Sequence, residues 1–468
     1  MSHKSLLTLT FLLVSCGETR PSLTLDASPS GWQNDEVERV LSDPNLDESA
    51  KSYFQDLKLL CNSQSVSRVE GVPIYHDRSD SQIFSFYYEA KISRPSEPTI
   101  IYLPGGPGLP SIGNRSHWTT GNFVNIDQRG VGCNFATRHS HTDDAITTWQ
   151  AVRDIGYVIK HLGLKDFIIF GHSYGTVSAT QLAFHLENDL SMRPRAVVLM
   201  GTVGHKFGAM RDWHVSHIDQ WQRLKSEYPK AGLLFANGSL PDLGGTRAEW
   251  GRYLFNVGNH YRASGEQLEA LNDELSASGG GEGPIMRSIR KKFYGRDPSY
   301  QTLFPSYLRF VFTRISCQEI FNPLDSYGSS IDRNGNMELI ISPNTPQNND
   351  MCEGIAERFP YDSKNFQLQS PLIYLHGETD PQVPLSQGYY HFLNQNLSRR
   401  KEWILVERGS HSPLDDALNP CTEQIDNPHC KFYEKMGGEI VGENLSDIGG
   451  ARLAEFGYGF KLIPNSFR

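Results

Sequence analysis

Basic runs, Cys-x-x-Cys pairs, histidine-rich clusters and internal repeats are all missing from this 468-residue sequence, and each absence removes a class of function. Asp plus Glu (53) outnumber Lys plus Arg (44), giving a formal net charge of −9. With no cluster of Lys and Arg to neutralise phosphates, nucleic-acid binding is excluded. Without ligand spacings of cysteine and histidine, no metal centre or other cofactor is expected. The lack of repeats removes solenoid architectures. What is present is ordinary globular material, 38% hydrophobic and 21% charged, in a chain long enough for one large domain carrying an insertion.

His3 and Lys4 make a short basic start, and Leu6 to Val14 form an apolar run too short to cross a bilayer. Residues 1–15 therefore read as an export signal. The run ends in Leu13-Val14-Ser15-Cys16-Gly17, which resembles the lipobox of bacterial lipoproteins. That resemblance implies a lipid on Cys16, a membrane partner through this anchor alone, and an extracytoplasmic location, with Gly17 favouring the outer membrane. The bland alternative is an ordinary cleaved signal and a secreted chain. Six further cysteines, an even number bound for an oxidising compartment, predict disulfides. Cys421 with Cys430 and Cys317 with Cys352 are the economical local pairs, which leaves Cys61 for Cys133.

Residues 16–65 read as a tether leading into a helix near Glu48 to Leu60. Short apolar strands are then predicted at Gln82 to Ser93, Thr99 to Leu103, Asn122 to Asp127, Phe167 to Phe170 and Arg195 to Met200, with helices at Asp143 to Leu162 and Thr176 to Leu186. Alternation of this kind builds a mostly parallel sheet covered by helices on both faces, an α/β class fold. The character changes over 205–360, where Trp213, Trp221, Trp250, Tyr253 and Tyr261 lie among long helical stretches. Strands resume at Pro371 to Leu375 and Glu402 to Val406. The core is thus 66–204 together with 361–468, interrupted by a helical cap at 205–360.

Chemistry concentrates at Gly171-His172-Ser173-Tyr174-Gly175, between a strand and a helix. A lone G-x-S-x-G is a weak signal, but small residues at that corner permit the tight turn that pushes a serine hydroxyl out of the sheet. A serine needs a base, and the base an acid, in the chain order Ser, Asp or Glu, His. Asp380 follows the strand at Leu372 to Leu375, with Glu378 as the rival acid, and His411 follows the strand at Trp403 to Val406. Stabilising the oxyanion takes two N–H donors. Tyr174 supplies one, and Pro104-Gly105-Gly106-Pro107-Gly108 supplies the other, from Gly106 or its neighbour Gly105.

With those residues in place, the chain resembles the proline iminopeptidase and tripeptidyl aminopeptidase family of serine exopeptidases. Four islands match: Gly105 to Gly108; Asp127-Gln128-Arg129-Gly130-Val131-Gly132; the elbow; and the acid turn Gly377 to Pro384. Pro104 stands where that family usually has His, removing a side chain that buttresses the loop. The resemblance implies the alpha/beta-hydrolase fold, a peptide substrate, and removal of residues from the peptide's N-terminus. It also implies a cap carboxylate for the substrate's free amine, for which Glu319 in Ile315-Ser316-Cys317-Gln318-Glu319 is the candidate, against an exposed helical Glu. Asp127 and Arg129 read as structural, an internal ion pair or turn-former below the site. An esterase or lipase would share every catalytic element, and a binding lipoprotein could keep the fold without turnover.

Overall fold

Runs of β-branched and aromatic residues form the strands, and amphipathic runs the helices. In chain order the strands are β1 (Val66–Pro73), β2 (Ile83–Lys91), β3 (Thr99–Leu103), β4 (Asn122–Ile126), β5 (Phe167–His172), β6 (Ala196–Met200), β7 (Tyr327–Ile331), β8 (Met337–Ile341), β9 (Leu372–Gly377), β10 (Lys401–Val406) and β11 (Phe460–Ile463). The helices are α1 (Glu48–Cys61), α2 (Thr148–His161), α3 (Tyr174–Asn188), α4 (Pro229–Ala236), α5 (Tyr261–Ser278), α6 (Ser306–Ile315) and α7 (Leu385–Asn394). The computed structural model describes residues 37–38, 41–44, 48–79, 82–94, 97–113, 122–138, 143–206, 218, 221–236, 261–278, 283–287, 306–320, 327–331, 337–341, 355–380, 382–406, 409, 411, 413 and 460–463. The signal segment, Cys16 and Cys352, Cys421 and Cys430 lie outside the described residues.

Among the described residues, nine strands make one sheet in the order β1-β2-β4-β3-β5-β6-β9-β10-β11. β2 runs antiparallel to both β1 and β4, and all pairings from β4 to β11 are parallel. β3, β4, β6 and β9 are buried at every position, as strands covered on both faces must be. On one face Ile101, Val124, Ile169, Val197 and Tyr374 share a core with Val152, Ile155 and Ile159 of α2 and Leu182 and Leu186 of α3. This is the alpha/beta-hydrolase arrangement.

Several boundaries differ from the sequence reading for physical reasons. β1 falls where no strand is predicted, because a bulge between Val69 and Val72 breaks the period-2 pattern at Gly71, whose φ is +79°. The helix predicted from Asp143 begins at Thr148, because the Thr147 side chain caps it by accepting from the Gln150 N–H. The insertion is not purely helical: β7 and β8 pair as an antiparallel hairpin. β11, in a tail without a sequence-based assignment, pairs in parallel with β10. Cys61 and Cys133 form a disulfide with Cα atoms 5.5 Å apart, and Cys317 is also disulfide-bonded.

Candidate active site

The turn from β5 into α3 places Ser173 at φ 58° and ψ −127°, a conformation non-glycine residues avoid and hold only where surrounding structure enforces it. Enforcement comes from both sides. The Ser173 N–H donates to the Met200 carbonyl at the end of β6 (2.8 Å), and the Ser173 carbonyl accepts from the Thr176 N–H (2.8 Å) and from Thr176 Oγ1 (2.6 Å). The flanking glycines are obligatory. A Cβ at Gly171 would lie 2.3 Å from the Gly175 carbonyl oxygen, and one at Gly175 would lie 2.0 Å from that of Leu103. The Ser173 side chain does not cap the helix it precedes.

Asp380 and His411, 31 residues apart in sequence, meet at the carboxyl ends of β9 and β10. His411 Nδ1 lies 3.0 Å from Asp380 Oδ1 and 2.9 Å from Oδ2. Asp380 Oδ1 also accepts from the Gln382 and Val383 N–H groups at 2.8 and 2.9 Å, so the acid is oriented before any substrate arrives. Burial alone would raise the Asp380 carboxyl, but the His411 charge, its hydrogen bond and nearby His376 together hold it below the ordinary value. The anion selects the Nδ1–H tautomer of His411 and leaves Nε2 to accept a proton. His376, fully buried with Nε2 3.8 Å from Asp380 Oδ2, is pushed down by desolvation against the opposing pull of the Asp380 carboxylate. Glu378, the rival acid, instead bonds Arg223 at 2.6 Å.

The pair stands beside Ser173. A Cβ at Gly201, the residue after β6, would lie 3.1 Å from His411 Cε1 and 3.3 Å from Asp380 Oδ2, and its neighbour Met200 is the residue that holds the Ser173 N–H. Ser173 and His411 are not hydrogen-bonded to each other in this structure; such bonds commonly tighten only with substrate in place.

The glycine loop after β3 passes directly over Ser173. A Cβ at Gly105 would lie 2.9 Å from Ser173 Cβ and 3.4 Å from its Oγ, while Gly106 and Gly108 take φ values of +35° and +94°. The other donor, the Tyr174 N–H, opens α3, where the helix dipole favours negative charge. Tyr174 is buried, and its hydroxyl lies 2.7 Å from Thr148 Oγ1.

Asp127 anchors the continuation of that loop. Its Oδ1 accepts from the Ser111 and Ile112 N–H groups (2.6 and 2.9 Å) and its Oδ2 from the Cys133 N–H (2.9 Å). Burial pushes its carboxyl up to about 6 against these donors. Arg129 does not pair with it. The guanidinium grips Asp154 of α2 through Nε and Nη2 at 2.7 and 2.6 Å, and Nη1 donates to the Ile74 and Ala145 carbonyls. Both residues of the Asp-Gln-Arg-Gly stretch are structural, with separate partners.

Glu319 is not the exposed helical residue of the alternative reading. It lies in a π-helical turn, Ser316–Ile320, following α6, which turns it inward to 2% exposure. Its Oε1 accepts the Thr148 N–H at 2.8 Å, at the start of α2, and burial raises its carboxyl to about 7. A carboxylate so enclosed is stable as an anion only with a paired cation, and otherwise holds a proton. Sequence reasoning also missed the partners His172, Thr379 and Asp154, although His172 lies inside the elbow and Thr379 inside the acid turn.

A family model described as alpha/beta hydrolase fold matches residues 98–249. A probable proline iminopeptidase of Leptolyngbya boryana is 29% identical over 124 residues, which is 26% of this chain and 37% of that protein. A proline iminopeptidase of Neisseria meningitidis is 33% identical over 125 residues, again 26% of this chain and 37% of its own length. The match therefore spans little more than a third of these curated relatives. The solved proline iminopeptidase of Mycobacterium smegmatis aligns over 80% of this chain and 99% of its own, at 13% identity and a TM-score of 0.38. Sheet order, elbow and family match together identify the chain as having the alpha/beta-hydrolase fold, with a sequence similar to that of proline iminopeptidases.

Proposed function

We propose that the protein is a serine hydrolase that releases residues from peptide N-termini through an acyl-enzyme on Ser173. The observation that carries the reading is the buried Asp380–His411 pair, bonded at 2.9 Å beside a serine held in strained backbone geometry. In the reaction Ser173 Oγ attacks the scissile carbonyl while His411 Nε2 takes its proton. The oxyanion is held by the N–H groups of Tyr174 and Gly106, and the C–N bond breaks as His411 returns the proton to the leaving amine. Water, deprotonated by the same imidazole, then hydrolyses the ester and restores the serine. Similarity to the proline iminopeptidases supports a peptide over an ester substrate, with prolyl or tripeptidyl release as the expected pattern.

A peptide-library digest read by mass spectrometry tests this. N-terminal truncation by the wild type and none by Ser173→Ala is expected. Cleavage of acyl esters alone would make the protein an esterase, and absence of fluorophosphonate labelling at Ser173 would leave a non-catalytic binder. The lipobox-like Leu13-Val14-Ser15-Cys16-Gly17 supports placing the enzyme outside the cytoplasm on a lipid at Cys16, and a disulfide such as Cys61–Cys133 suits an oxidising compartment. Fatty-acid labelling that is unchanged in Cys16→Ser would reject the anchor.

A further inference from the structure

We infer that His172, the residue immediately before the nucleophile, is the positioning residue that aligns the base His411 with Ser173. The inference rests on the reading of Ser173 and His411 as nucleophile and base.

His411 is held by three contacts of different purpose. Asp380 fixes the ring through Nδ1. Thr379, the neighbour of the acid, donates its N–H and its Oγ1 to the Gly409 carbonyl, each at 2.9 Å. Both contacts tie the base to the acid turn, and neither refers it to the serine. His172 supplies that reference. As the last residue of β5 it is rigidly placed by the parallel pairing of His172 with Met200 on β6. Its Nε2 lies 3.0 Å from the His411 carbonyl oxygen, and its ring packs against the His411 ring with centroids 4.9 Å apart and planes inclined by 36°.

A carbonyl oxygen only accepts, so His172 carries its proton on Nε2. Because Ser173 follows His172 directly on the same strand end, a shift of the base relative to the strand is a shift relative to Oγ. The first variable position of the elbow thereby encodes the alignment of nucleophile and base.

The test compares His172→Gln, whose amide reaches the His411 carbonyl, with His172→Asn, one methylene shorter, in the full chain. The readout is the rate of Ser173 labelling by a fluorophosphonate, which needs no knowledge of the natural substrate. The Asn variant is expected to label about 10- to 100-fold slower than wild type, on the scale of a sub-ångström to ångström misplacement. The Gln variant should recover most of that rate, with equal melting temperatures for the two. Equal labelling rates for Asn, Gln and wild type, or equal losses for Asn and Gln, would overturn the role of His172 while leaving the hydrolase reading intact. A wild type that never labels would overturn both.

Discussion

Replacing Glu319 by Gln separates a wall residue from a substrate anchor by its effect on stability. The Glu319 carboxyl is raised to about 7 by burial from an ordinary 4.5, so between those values the folded chain holds a proton that the unfolded chain has released. Stability from this group is complete below pH 4.5 and is lost as the pH climbs through 7. About 2.5 pKa units, at roughly 1.4 kcal/mol each, make the buried anion cost about 3 kcal/mol at pH 8, and under 1 kcal/mol at pH 5. Gln is neutral throughout and retains an oxygen for the Thr148 N–H that Glu319 accepts at 2.8 Å. Urea unfolding of both proteins should show Glu319→Gln gaining about 2 to 3 kcal/mol on wild type between pH 5 and pH 8. A difference that does not change with pH, or a variant weaker than wild type at pH 8, would refute the reasoning. If the Michaelis constant also rose only for free-amine substrates, the anion would have to be facing a cation after all.

Three further expectations follow from the elbow and the disulfide. Ser173→Gly relieves the φ of 58° and should melt higher than Ser173→Ala, by about 1 kcal/mol, with both variants inactive; a less stable Gly variant would show that the turn is unstrained. Gly175→Ala drives a Cβ to within 2.0 Å of the Leu103 carbonyl oxygen, so a loss of at least about 2 kcal/mol is expected by urea denaturation, and a fully stable Ala variant would contradict the packing. Removing the Cys61–Cys133 link, which spans 72 residues, by a double Ser substitution should lower unfolding stability by about 4 kcal/mol. A midpoint unchanged by that substitution would mean the crosslink restrains nothing in the unfolded chain.

Much of the site was legible in sequence because each of its parts follows a strand of recognisable pattern. Ser173, Asp380 and His411 each sit just beyond a short apolar run, and Gly171 and Gly175 mark a corner that no larger residue could occupy. Periodicity failed where the chain departs from regular repeats. The bulge in β1 hid a strand, the Thr147 cap moved a helix start, and Glu319 is buried in a π-helical turn that α-helical spacing does not describe. Contacts such as His172 to the His411 carbonyl, 239 residues away, leave no trace in local pattern, since only the folded sheet brings them together. The separate partners of Asp127 and Arg129 were hidden for the same reason: Asp154 is 25 residues from Arg129.

β6 and β9 hydrogen-bond directly, from Val197 with Leu372 to Met200 with Leu375, although the whole 205–360 insertion lies between them in the chain. The sheet is sealed across the gap, so Ser173 on one side and Asp380 and His411 on the other keep their spacing whatever is spliced in. The insertion can then vary in sequence without disturbing that spacing. A chimaera carrying another hydrolase's insertion between those two strands is the natural way to exploit that independence.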